Sequence, residues 1–90
     1  MEISDWRIKI DLIETQLIQL LNERAEYAIE IGLLKRKKGL VVYDETREVE
    51  ILKRVAKKST GPLDDDAIQD VFKSIIQVTR DLEDTHHRNA

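Results

Sequence analysis

Residues 3–38 read ISDWRIKIDLIETQLIQLLNERAEYAIEIGLLKRKK. Apolar side chains recur every three or four positions, at Ile3, Trp6, Ile10, Ile13, Leu17, Leu20, Ala28 and Ile31. That step is the period of an α-helix. No proline interrupts the run, and Gly32 lies near its end, where it is tolerated at modest cost. The spacing predicts one long helix that starts at Ser4 or Asp5, either able to cap it, and stops near Lys38 with Gly39 as the C-terminal signal. Arg24 and Lys35 fall on the apolar stripe and break it. Eleven residues separate them, which leaves them roughly 20° apart on one face. Burying a cation without a partner costs about several kcal/mol, so something anionic should meet both.

Working outward, Leu40-Val41-Val42-Tyr43 reads as a short, extended connector. A second helix follows from about residue 44 to 57, with Asp44 at its N-terminus and Val49, Ile51, Leu52, Val55 and Ala56 as apolar positions. Ser59-Thr60-Gly61-Pro62 is a break. Asp64-Asp65-Asp66 suits the positive end of a third helix, over about 64–84, whose stripe is Ile68, Val71, Phe72, Ile75, Ile76 and Leu82. The polar tail after Asp84 is expected to fray. The fold class is all-α, with one long and two shorter helices in a single domain.

Composition narrows the function. Ninety residues make one domain at most. A net charge of −3 argues against non-specific nucleic-acid binding. The absence of cysteine removes disulfides, thiolate nucleophiles and thiolate metal sites. No stretch has the length of a membrane span or the form of a leader, so a cytoplasmic protein is expected. The first helix also bears on assembly. Thirty-five residues span roughly 50 Å, whereas a compact chain of this size is roughly 31 Å across. A monomer would leave much of the apolar stripe wet, so a two-fold homodimer with paired long helices is expected.

Polar groups stand on inward faces of the other helices too. Asp44, Glu48, Ile51 and Val55 form one line with Arg47 beside it, and the line of helix 3 ends in Thr79 and Glu83. Each has a plainer alternative. Arg24 can pair with Glu48 or Glu83 in the same chain, Thr79 can bond back to its own helix, Glu83 can sit on a wet edge, and Asp44 can merely cap. Arg36, Lys37 and Lys38 read as a solvated helix end, and His86-His87 as inert. Taken together, charges turned inward on three helices favour a polar pocket between them. No nucleophile, phosphate loop or metal-ligand spacing accompanies it, so no metal is expected. A cation-rich pocket suits a small polycarboxylate and a reaction that relies on orientation and electrostatics. Arg24 and Lys35 are roughly 16 Å apart along the axis and can converge on one ligand. Arg7 is about 25 Å from Arg24 and about 100° around the helix, so it can serve the same ligand only from a second protomer.

The pattern Arg7-x-x-Ile10-Asp11, Leu20-Leu21-Asn22-Glu23-Arg24, Ile31-Gly32-x-x-Lys35, Asp44-x-x-Arg47-Glu48 and Phe72-x-x-Ile75-Ile76 resembles the all-helical chorismate mutases. The Gly61-Pro62 break and helix 3 also look like the mutase domain fused to some bacterial DAHP synthases, so such a synthase is a candidate partner. The resemblance implies an intertwined dimer with active sites shared between chains. It implies rearrangement of chorismate to prephenate, toward phenylalanine and tyrosine, with no cofactor and no covalent intermediate. It makes Arg24 and the partner chain's Arg7 the carboxylate anchors. Lys35 becomes the donor to the ether oxygen, where charge builds as the C–O bond breaks. Glu48, with the backbone near Asp44, would hold the ring hydroxyl, supported by Arg47, while Thr79 would contact a carboxylate. Glu83 falls where many bacterial members carry glutamine, the second donor to the ether oxygen. A carboxylate cannot donate, so Glu83 must be protonated to fill that role. Burial raises its pKa and the nearby cations lower it. The alternatives are an isochorismate–pyruvate lyase of similar fold and a non-catalytic regulatory or dimerisation domain that binds chorismate or prephenate.

Overall fold

The computed structural model describes residues 1–89, with side chains to residue 85. Three helices follow one another: α1 (Ile3–Lys37), α2 (Glu45–Lys58) and α3 (Asp65–Asn89). Among the described residues there is no strand, and the connector 40–43 is irregular.

Local chemistry explains the helix ends. Glu2, not Ser4 or Asp5, is the N-cap of α1. Asp5 works from inside the first turn, its carboxylate accepting from the Glu2 backbone N–H at 2.8 Å. At the other end Gly39 takes φ of +71°, a conformation that costs glycine little. It lets the Gly39 and Leu40 N–H groups return to the carbonyls of Arg36 and Lys35 at 3.0 and 2.7 Å. Asp44 caps α2 by accepting from the Arg47 N–H at 3.0 Å, and Asp64 caps α3 by accepting from the Ala67 N–H at 2.8 Å. Gly61-Pro62 is a cis peptide between α2 and α3. α3 continues to Asn89, past the end expected near residue 84. No glycine or proline stands there to stop it, and polarity alone does not end a helix.

α2 and α3 pack on each other, and α1 crosses α3. Ile51, Val55 and Ile76 form the core, flanked by Leu52, Ile68 and Phe72. Val49 and Val71, expected to be apolar packing positions, lie nearly half exposed on the outer sides of their helices. The N-terminal half of α1 extends past this core. The chain measures 55 × 27 × 14 Å, with a radius of gyration of 16.2 Å. About 12 Å is usual for a compact chain of this length. Trp6, Ile10, Leu17 and Leu20 of the stripe are each at least half exposed. Ile8, Leu12 and Ile18, on the opposite side of α1, are exposed as well. A helix apolar around its girth is ordinarily one buried by others. Among the described residues no helix is long and apolar enough to cross a membrane.

Candidate active site

A cavity of about 370 Å³ opens between the C-terminal half of α1, the connector, the first turns of α2 and the C-terminal half of α3. Each element contributes for a local reason. α1 brings Arg24, Ala28, Ile31 and Lys35 along a single face. The capped first turn of α2 brings Asp44, Arg47 and Glu48, and α3 brings Ile76, Thr79 and Glu83 at steps of three and four, with Arg80 beside Thr79. Val42 and Tyr43 of the connector complete the wall. Ile31, Ile51 and Ile76 line it with apolar surface, which excludes water and strengthens the charges around it.

Seven of the eight residues singled out from sequence therefore meet in one place: Arg24, Lys35, Asp44, Arg47, Glu48, Thr79 and Glu83. Arg7 does not line this cavity and is exposed on the protruding half of α1. Arg24 and Lys35 are half-buried, so their desolvation is partial rather than complete.

Their partners differ from the simple ion pairs considered above. Arg24 donates through Nη1 to the Thr79 hydroxyl at 3.2 Å. Thr79 in turn donates to the Ile75 carbonyl at 2.7 Å, so its bond to its own helix and its polar contact across the cavity coexist. Burial, then the neighbouring Arg47 and Arg54, loosens the Arg24 proton, and Glu83 opposes them. A guanidinium so placed gains from an anionic ligand. Lys35 Nζ reaches the Val42 carbonyl at 3.4 Å and the Asp44 carboxylate at 3.9 Å. Arg47 lines the cavity while its Nη1 lies 3.5 Å from Glu50 on the exposed side.

Glu83 lies over Gly32, the one buried residue of α1. The two are close: a Cβ at Gly32 would meet the Glu83 carboxylate at 3.6 Å, an ordinary contact distance. Burial is the largest influence on Glu83 and raises its pKa above the ordinary 4.5. Lys35 and Arg36 pull the other way, while Asp84 and Glu48 add to the rise. The balance left open by the sequence comes down on the side of a raised pKa.

Three contributors were not legible in the sequence. Arg80 was never singled out, yet its Nη2 donates to both oxygens of Glu48, at 2.6 and 2.7 Å. This occupies the carboxylate that the sequence offered as a partner for Arg24. Tyr43 lies under the Arg80 guanidinium, 4.2 Å from ring centre to Cζ. Arg36, expected in solvent, is half-buried and donates to the Glu83 carbonyl at 3.1 Å, because α3 passes beside that turn of α1. Helical position places Arg80 next to Thr79 and four residues before Asp84. That pattern alone did not distinguish it from a solvated arginine. The side chains of His86 and His87 lie outside the described residues.

Arg24, Lys35, Arg47 and Arg80 face Asp44, Glu48, Glu83 and Asp84 around a small, partly apolar cavity on an all-helical frame, an arrangement suited to a compact polar ligand. The frame is closely matched by a solved structure of chorismate mutase (Form II) from Thermus thermophilus, with a TM-score of 0.88 and 35% identity over 91% of this chain and 93% of that one. Residues 6–84 match the family described as chorismate mutase type II, and the chain belongs to that family. Among curated relatives, it is 39% identical over 70 residues to the bifunctional chorismate mutase/prephenate dehydratase of Neisseria gonorrhoeae. It is 31% identical over 86 residues to the protein of that name from Aquifex aeolicus. The matches cover 78% and 91% of this chain but only 19% and 24% of those proteins, so it spans a quarter of their length or less.

Proposed function

We propose that this chain is a chorismate mutase that converts chorismate to prephenate. The observation that carries the reading is the convergence of Arg24, Lys35, Asp44, Arg47, Glu48, Thr79 and Glu83 on one cavity. Within one substrate molecule the ether C–O bond breaks as a new C–C bond forms, so atoms and electrons balance without a co-reactant. The protein's task is to hold the reactive conformer and stabilise charge developing on the ether oxygen.

In this reading Arg24 and Thr79 hold one carboxylate. Lys35 donates to the ether oxygen and helps hold a carboxylate, and the protonated Glu83 is the second donor to that oxygen. Glu48, with the backbone near Asp44, holds the ring hydroxyl, and Arg47 supports that corner by its charge. Arg7 of the partner chain holds the other carboxylate. The dimer this requires is supported by the exposed apolar girth of α1, which a second copy would cover. A cytoplasmic location and, on resemblance alone, a DAHP synthase partner are part of the same proposal.

The test is direct. Purified chain is given chorismate, and loss of chorismate absorbance is followed alongside formation of prephenate. Isochorismate is offered in parallel. Chorismate consumption with prephenate formed is the expected result. Pyruvate release from isochorismate without chorismate turnover would favour the lyase, and binding without turnover would favour a regulatory domain.

A further inference from the structure

We infer that Arg80 is a positioning residue that fixes Glu48 as the hydroxyl acceptor of the site, and so helps select a ligand carrying a donor at that corner. The inference rests on the mutase reading. It begins from a contact between segments far apart in sequence: Arg80 on α3, Glu48 in the first turn of α2, and Tyr43 in the connector.

One nitrogen of Arg80 bridges both Glu48 oxygens, at 2.6 and 2.7 Å. The face of the guanidinium rests on the Tyr43 ring at 4.2 Å. The group is therefore held in orientation by a stack and in direction by a bridge. Each carboxylate oxygen has two acceptor sites, so a single bridging nitrogen leaves one on each oxygen for a ligand. Arginine keeps its charge at all working pH values, so the bridge to Glu48 is always offered from the same side. The cavity thereby has two chemically distinct sides. Arg24 and Lys35 offer donors, and Glu48 offers an oriented acceptor.

The rest of Arg80 argues against a role in stability alone. Its Nε is buried and has no hydrogen-bond partner. An unpaired buried donor is a cost that a methionine of similar length would not carry. Ion pairs that keep part of their surface in water, as this one does, commonly add little to stability. The arrangement is poor as a fastener and well formed as an orienting device.

Kinetics separate the two. The substrate hydroxyl keeps its bonds through the rearrangement, so contact with it is equally strong before and at the transition state. Loss of such a contact raises KM and leaves kcat nearly unchanged. Arg80→Met should therefore raise KM about tenfold with kcat within about twofold, while the melting temperature holds or rises. Arg80→Lys, which has one ammonium and cannot stack and bridge in the same way, should fall between parent and Met. If the Met variant fails to fold, the Lys variant carries the same KM-against-kcat reading. Because Arg80 acts through Glu48, Glu48→Ala and the double variant should show the same KM, and the two losses should not multiply.

An unchanged KM in both Arg80 variants, a loss confined to kcat, or losses that multiply in the double variant overturns the inference while parent turnover keeps the mutase reading intact. A parent chain that does not consume chorismate overturns the mutase reading, and this inference falls with it.

Discussion

Replacement of Glu83 by glutamine tests the chemistry of the site most sharply. Glu83 must be neutral to donate, and its surroundings favour that form. Burial acts most strongly, Asp84 and Glu48 reinforce it, and Lys35 and Arg36 only partly offset it. The sign follows. With a pKa raised above 4.5, the neutral donor persists to higher pH than in an ordinary glutamate. Activity that depends on it is full below the raised value and declines as pH climbs through it. Above that point kcat/KM should fall about tenfold per pH unit. The fall is bounded by the worth of one transition-state donor, about 10²–10³. Glu83→Gln donates at every pH, so its alkaline limb should be flat and the variant should overtake the parent there. Stability has the same sign. The folded carboxyl holds its proton more tightly than the unfolded one, so its contribution is complete below 4.5 and is lost as pH rises through the raised folded value. Melts of the glutamine variant should lack that component. The assay is initial rates of chorismate loss over a pH series, with thermal melts in the same buffers. An alkaline slope in Glu83→Gln equal to that of the parent would refute the reasoning.

Other outcomes follow from the same geometry. Lys35→Ala should lower kcat by about 10²–10³, since it removes a donor to developing charge; a loss below tenfold in steady-state rates would remove Lys35 from that role. Gly32→Ala should be accommodated, because the added Cβ meets Glu83 at ordinary contact distances of 3.6–3.7 Å. It should stabilise α1 by about 0.5–1 kcal/mol in thermal melts and, by drying the Glu83 carboxyl further, shift the alkaline limb of activity upward. A drop in melting temperature would show that α1 and α3 cannot yield there. Arg7→Ala and Arg24→Ala should each be nearly inactive, yet mixing the two unfolded and refolding them together should restore about a quarter of parent activity, because half the dimers are mixed and each has one intact site. No recovery, with mixed dimers demonstrated by native mass spectrometry, would place Arg7 outside the partner's site.

The amino-acid sequence alone determined what depends on local periodicity and on neighbours a few residues apart. The three helices, the caps of Asp44 and Asp64, the stop at Gly39 and the break at Gly61-Pro62 are of that kind. So is the inward turn of Arg24, Lys35, Thr79 and Glu83, because a helix of fixed pitch assigns every residue a face before it meets another helix. The excessive length of α1 and the apolar stripe along it were legible for the same reason. Only tertiary structure decided who pairs with whom. Glu48 met Arg80 rather than Arg24, and Arg36 found the Glu83 carbonyl. These choices depend on how α2 and α3 are offset along α1, and periodicity carries no information about offset. The sign of the Glu83 shift belongs there too. It is the difference between the water excluded when α3 lies over Gly32 and the pull of Lys35 and Arg36, and neither exists until the helices pack.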